Sequence, residues 1–305
     1  MKITSRLLSS GLLTVLLLAP LGLLAEDTYQ PFILASVNDV PLEQQTKMTA
    51  QALEKAGFTV AGHYSPVENS HVIVVTNDAL GDIAAQSERG GYAAGQRVSV
   101  ALRDGQTEVA FVNPLYIQFA YRLGGDMQPV YDLLSSTLGN IEPFGAKKKM
   151  TAKKLLKYNY MMGMQKFDDP SELGTFASYD EAVAAVEKGL AVSDDPLTQV
   201  YRIDVPGKDQ TVFGVGMKAV TDDEAQVDID QAHQMAIVDF EGHSKIAYFP
   251  YEILVNGKQV EALHMRFRMA VHFPDLSMMG KHGFTKLMSS PGATEDALEH
   301  LVKAH

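Results

Sequence analysis

The stretch that most restricts what this chain can fold into is Arg97–Leu123, RVSVALRDGQTEVAFVNPLYIQFAYRL. Two strand-like runs flank Asp104-Gly105, a pair suited to the positive-φ positions of a tight hairpin turn. Asn113-Pro114 closes the second run, and a short apolar helix follows. Tyr251–Phe273, YEILVNGKQVEALHMRFRMAVHF, has the same plan around Asn256-Gly257. Two such units predict an α+β protein of two tandem related modules, each a mostly antiparallel sheet with helices packed on one face.

The flanking segments fit that plan. Pro31–Asn38 reads as a strand. Leu42–Ala56 reads as a helix with the stripe Leu42, Thr46, Thr49, Leu53 and Ala56, stopped by Gly57. Phe58–Tyr64 and His71–Thr76 read as strands, Asp78–Glu88 as a short helix, Arg89–Gly95 as a flexible glycine-rich loop, and Asp126–Leu138 as a helix. In the second half, Ser178-Tyr179-Asp180-Glu181 is a capping box opening a helix on Ala182, Val183, Val186 and Leu190, with Gly189 as its stop. Gln199–Val205 and Thr211–Met217 read as strands, Asp228–Ala236 as a helix, and Glu295–Ala304 as a last helix burying Leu298, Leu301 and Val302. The strands come in hairpins, which argues against a Rossmann arrangement.

The N-terminus is expected to be a cleavable secretory signal peptide. Lys2 and Arg6 precede the apolar run Leu7–Leu24, and Ala25 precedes Glu26-Asp27. The divisions are then 1–25 signal peptide, 26–145 first module, 146–174 a lysine-rich linker or helix, and 175–305 the second module. Loss of Lys2 and Arg6 leaves 24 Lys and Arg against 37 Asp and Glu, a net charge of −13. Such a balance argues against a nucleic-acid partner, because phosphate contacts need clustered cations. The chain has no cysteine, which excludes disulfides, thiolate catalysis, iron–sulfur clusters and a lipid-anchored cysteine. A periplasmic or secreted location follows, with no membrane span after cleavage. Ala146–Tyr158, AKKKMTAKKLLKY, concentrates six lysines; Lys147–Lys157 is either a solvated linker face or a contact for an anionic membrane or acidic partner.

The first half also resembles the DUF302 family, through the helix ending LEKAGF at 53–58, the strand HVIVVTND at 71–78, and LRDGQTEVAFVNPLYIQFAYRL at 102–123. The strand-then-Asn-Pro element of that family looks like Phe111-Val112-Asn113-Pro114. The second half is a more diverged copy, with Met265 and Arg266 where Asn113 and Pro114 would align. The resemblance implies a compact α+β domain that tends to pair, hence a homodimer or a fused version of a two-fold pair. It implies no activity.

Motifs for nucleophile elbows, phosphate loops, zincins and calcium loops are absent. Seven of nine histidines lie after residue 230, and eleven of fourteen methionines from Met150 onward. Two clusters stand out: Tyr160-Met161-Met162-Gly163-Met164, and His264 through His272. Thioether and imidazole suit copper, so His264, Met265, Met269 and His272 are candidate copper ligands. Two arginines beside the histidines suit an anion better, and a Met/Phe stripe is also ordinary core. The expected function is non-enzymatic binding of an unidentified small molecule or periplasmic protein in a cleft between the modules, with Asn113, Tyr116, His264, Arg268 and His272 as candidate ligand-binding residues and no cofactor. The alternative is a copper carrier or an enzyme using His264, Arg268 and His272. Asp168-Asp169 and Asp194-Asp195, each beside a proline, read as loop carboxylates.

Overall fold

The computed structural model describes residues 27–192 and 196–303; the expected signal peptide and Asp194-Asp195 lie outside them. The fold is α+β. The first module begins with β1 (Thr28–Tyr29), β2 (Phe32–Asn38), α1 (Leu42–Lys55), β3 (Thr59–Tyr64), β4 (Ser70–Thr76) and α2 (Asp78–Ala85). It continues with β5 (Gln96–Arg103), β6 (Gln106–Val112), α3 (Pro114–Ala120), α4 (Gln128–Leu138) and β7 (Glu142–Phe144). Its antiparallel sheet runs β3-β4-β5-β6-β2-β7. The Asp104-Gly105 turn has φ of 51° and 85°, the left-handed conformation that a two-residue hairpin demands.

The connecting segment holds β8 (Met150–Thr151), which pairs with β1, and α5 (Ala152–Leu155); the second module then has β9 (Ser171–Thr175), α6 (Tyr179–Leu190), β10 (Leu197–Asp204) and β11 (Gln210–Met217). It ends with α7 (Glu224–Ile229), α8 (Gln231–Val238), β12 (Tyr251–Asn256), β13 (Gln259–Ala262), α9 (Met265–His272) and α10 (Ser290–Lys303). Its sheet runs β10-β11-β12-β13-β9. This is the order of the first sheet without its last strand, taken in the same chain sequence.

Both faces of the first sheet are covered, which is why HVIVVT reads as a continuous apolar run. Ile33, Ile73, Val75, Val98, Val100, Val109 and Phe111 pack with Leu53 of α1 and with Val130 and Leu134 of α4. Phe32, Leu34, Val72, Val74, Ala110 and Val112 face the other way and merge with the core of the second module. The edge strands β3 and β10 meet across the same junction.

Several expectations need correction. Strand β9 pairs with β13, so the second sheet starts at Ser171, ahead of the expected boundary at 175. Gln45 rather than Thr46 is buried on α1. Arg89–Gly95 is no flexible loop: Gly90–Ala93 form a buried 3-10 turn, and Gly91 N–H donates to Gln210 Oε1 of β11 at 2.9 Å. Gly189 lies inside α6 instead of stopping it; a Cβ there would stand 2.3 Å from Leu301 O, so glycine is required for α10 to approach. The expected lysine helix is only α5; Leu155 is buried, and Tyr158 donates to Ala270 O at 2.6 Å, pinning the segment to α9. Among the described residues no helix is long and apolar enough to cross a membrane.

Candidate functional site

The Asn-Pro element and its counterpart both do capping work. Asn113 Oδ1 accepts from Leu115 N–H at 3.1 Å, and its Nδ2 donates to Gln30 O at 2.9 Å. His264 Nδ1 accepts from Arg266 N–H at 3.2 Å. His264 thus caps α9 as Asn113 caps α3. A side-chain acceptor at the first turn satisfies an otherwise unpaired N–H. Burial lowers the His264 pKa, with Glu295 opposing the shift and Arg266 adding to it.

Between the two sheets lies a buried polar network. Arg97 of β5 donates from Nη1 to Glu252 Oε1 at 2.7 Å and from Nε to Ala247 O at 2.9 Å. Arg268 of α9 donates from Nη2 to Tyr248 O, Pro250 O and Glu252 Oε2, at 2.7, 2.6 and 3.4 Å. Its guanidinium lies 4.3 Å from the Tyr248 ring centroid and 4.9 Å from that of Tyr251, so the rings stabilise the cation where water cannot. Tyr201 donates to Glu252 Oε1 at 2.7 Å. His272 donates from Nδ1 to Arg268 O at 2.8 Å, which leaves Nε2 facing Arg97 Nη2 at 3.4 Å. Burial first, and the two guanidiniums after it, push the His272 pKa well below its ordinary value. The imidazole is neutral, so two arginines share one carboxylate. Burial pushes the Tyr121 phenol up to about 12.

These positions explain what the candidate residues do. Tyr116 is fully buried and donates to Val271 O at 2.7 Å, tying α3 to α9. Met265 and Met269 are core residues, and Thr294 Oγ1 stands 3.6 Å from Met265 Sδ. His264 and His272 sit eight residues apart along one helix, about 12 Å at a rise of ~1.5 Å per residue. They do not meet at one ion, so the expected copper set His264, Met265, Met269 and His272 does not assemble. Nor do His264, Arg268 and His272 gather into an accessible catalytic group: Arg268 and His272 are both 0% exposed. Among the described residues no three His, Asp or Glu side chains are placed to hold a metal ion.

An accessible cleft of about 770 Å³ opens beside this network, with walls from both modules. Gln30, Phe144 and Gly145 come from the first module; Phe240, His243 and Lys245 come from the α8–β12 connection; Phe273, Leu276, Met279 and His282 follow α9. His243 lies between two carboxylates of the first module, with Nδ1 2.6 Å from Glu108 Oε1 and Nε2 3.3 Å from Glu142 Oε1. Its ring meets Phe144 edge-on at 5.3 Å. His282 stacks on Phe240 at 3.9 Å and donates from Nδ1 to Ile237 O at 3.0 Å. Lys147, Lys245, Glu241 and Asp275 complete a charged rim. An apolar floor with a few polar groups around it is the common design of a small-molecule site.

A cross-module ion pair stands in the position corresponding to the His243–Glu108 contact. Glu108 and Glu261 are each the third residue of the strand that follows a module's second hairpin turn. Arg89 Nε donates to Glu261 Oε1 at 2.7 Å, while His243 reaches Glu108. Burial raises the Glu261 pKa, and Arg89 opposes the shift. Sequence reading missed Phe240, His243 and His282, because no local motif marks them; the surplus of histidines after residue 230 was the only signal. Comparison of the chain with known protein families, curated proteins and solved structures finds no match.

Proposed function

We propose that the chain is an exported, non-enzymatic binding protein that holds a small amphipathic molecule in the cleft between its two modules. The observation that carries this reading is the cleft itself, about 770 Å³ in volume and lined by both modules. Phe144, Phe240, Phe273 and Leu276 offer a surface for an apolar or planar body. His243, His282, Lys147 and Lys245 offer polar contacts for an acidic or hydrogen-bonding end. Export with loss of residues 1–25 would place this binding in the periplasm, where a chain without cysteine has no thiols at risk of oxidation.

The same reading makes the chain a tandem, DUF302-like pair fused into one polypeptide. Three features support it: the shared strand order, the equivalent capping roles of Asn113 and His264, and the reciprocal pairs Arg89–Glu261 and His243–Glu108. A fused pair lets one inter-module cleft diverge from its two-fold counterpart, which a symmetric homodimer cannot do.

Native mass spectrometry of the mature chain (from Glu26), purified from a periplasm, tests the proposal. The expected result is a reproducible adduct that Phe240→Ala removes without lowering the melting temperature. A clean apo mass, together with no saturable binding of anilinonaphthalene sulfonate, would refute it.

A further inference from the structure

Two segments reverse the acidic balance of the chain, which has 37 Asp and Glu against 26 Lys and Arg. Residues 146–166, which contain α5, hold seven lysines and no Asp or Glu, and residues 276–288, which follow α9, hold two lysines and no Asp or Glu. Lys147 is paired, with its ammonium 3.8 Å from Glu241. Lys148, Lys149, Lys153, Lys154 and Lys157 of the first segment and Lys281 and Lys286 of the second are exposed. Among the described residues none of these seven makes an ion pair.

The same segments hold half of the large apolar side chains exposed among the described residues: Leu156, Met161, Met162, Met278, Met279 and Met288. Met162 is 96% exposed. It stands in a turn that Gly163 makes with φ of +87° and that Met164 N–H closes on Met161 O at 3.2 Å. The fold seats the two segments against each other. Tyr160 donates to Leu276 O at 2.8 Å, and Tyr160, Met164, Leu276 and Phe284 line one tight hollow. Lys147 N–H donates to Asp275, just before the second segment, and Tyr158 holds the first to α9. Lys147 and Met279 also border the cleft; the other lysines and exposed apolar residues of the two segments lie outside it.

We infer that this face docks on the surface of a bilayer containing anionic phospholipid, with the lysines over the phosphates and Met161 and Met162 entering the headgroup layer. Clustered lysines are drawn to an anionic membrane surface, and apolar side chains beside them gain by leaving water for the interface. The charge is complementary to such a surface, whereas the rest of the chain would be repelled by it. The methionines argue against nucleic acid, which offers phosphates but no apolar layer beside them. They also argue against an acidic protein. An unbranched, adaptable side chain on an open turn suits a fluid layer better than the close packing of a protein interface. Docking through turns needs no spanning helix, and the described residues contain none. The inference does not depend on what the cleft binds.

The chain contains no tryptophan, so Met162→Trp in the mature chain supplies a single fluorescent reporter. Its emission should move to the blue on vesicles of phosphatidylglycerol and phosphatidylcholine, while that of Met48→Trp, an exposed position on α1, should stay in place. Co-sedimentation with the same vesicles should weaken as salt rises. Lys148→Gln/Lys149→Gln/Lys153→Gln/Lys154→Gln should weaken it by about tenfold or more with an unchanged melting temperature. No blue shift at Met162→Trp, equal binding to phosphatidylcholine alone, or unchanged binding by the quadruple variant would each overturn the inference. Binding to polyglutamate but not to vesicles would overturn it in favour of an acidic protein partner.

Discussion

Replacing Glu252 by glutamine is the sharpest probe of how the modules are joined. Glu252 is the one carboxylate that accepts from both Arg97 and Arg268, and both arginines are fully buried between the sheets. Glutamine keeps the volume and an acceptor for Tyr201, so the change removes mainly the negative charge. With His272 neutral, the network would go from one uncompensated positive charge to two. Removing one partner of a buried pair costs about 3–5 kcal/mol, because the remaining ion is left desolvated and unpaired. At a denaturant slope of roughly 3 kcal/mol per molar urea, the unfolding midpoint should fall by about 1–1.7 M. Arg97→Met/Glu252→Gln restores the original net charge and should recover more than half of the loss. A cost below ~1 kcal/mol for Glu252→Gln, or a double variant no more stable than the single, would show that the charge balance of this network does not hold the modules together.

Other outcomes follow from particular contacts. His272 binds a proton far less readily folded than unfolded, so its contribution is intact above the unfolded pKa and lost as pH falls below it toward the depressed folded value. As pH falls below the unfolded value, wild type should therefore lose stability more steeply than His272→Gln, by up to about 1.4 kcal/mol per pH unit, measured by urea unfolding; parallel profiles would refute this. Gly189→Ala places a methyl against Leu301 O and should cost about 1–3 kcal/mol through overpacking. Gly57→Ala, with open space but φ of +95°, should cost about 1 kcal/mol from backbone strain alone; the two melting temperatures separate these causes. Asn113→Ala removes an N-cap and leaves Gln30 O without its donor, for a loss of about 2 kcal/mol in chemical denaturation.

Local order was legible because it is written in neighbouring residues. Alternation, the Asp104-Gly105 turn, the Asn113-Pro114 break and the Ser178 cap each depend on a few consecutive positions. They located the two hairpins and most of the helices, and from those the α+β class. Strand β9 was missed because SELGT is short and carries only one large apolar side chain, Leu173. It is a strand because β13 offers it an edge. Gly189 was misread as a stop signal because sequence cannot show that α10 must pass close to it.

What the sequence determined by itself is the set of local elements, the absence of thiol chemistry, and the acidic surplus. Tertiary structure alone decided what the chemical side chains do. His264, Arg268 and His272 look like a ligand set by spacing, but a helix rise of ~1.5 Å per residue separates the two histidines, and the pairing of the sheets buries Arg268 against Glu252. Phe240, His243 and His282 look like nothing in sequence and line one cleft, because Glu108 and Glu142 of the first module hold His243 in place. Sites are assembled from long-range contacts, and their energy lies in packing and charge pairing that no single window of residues contains.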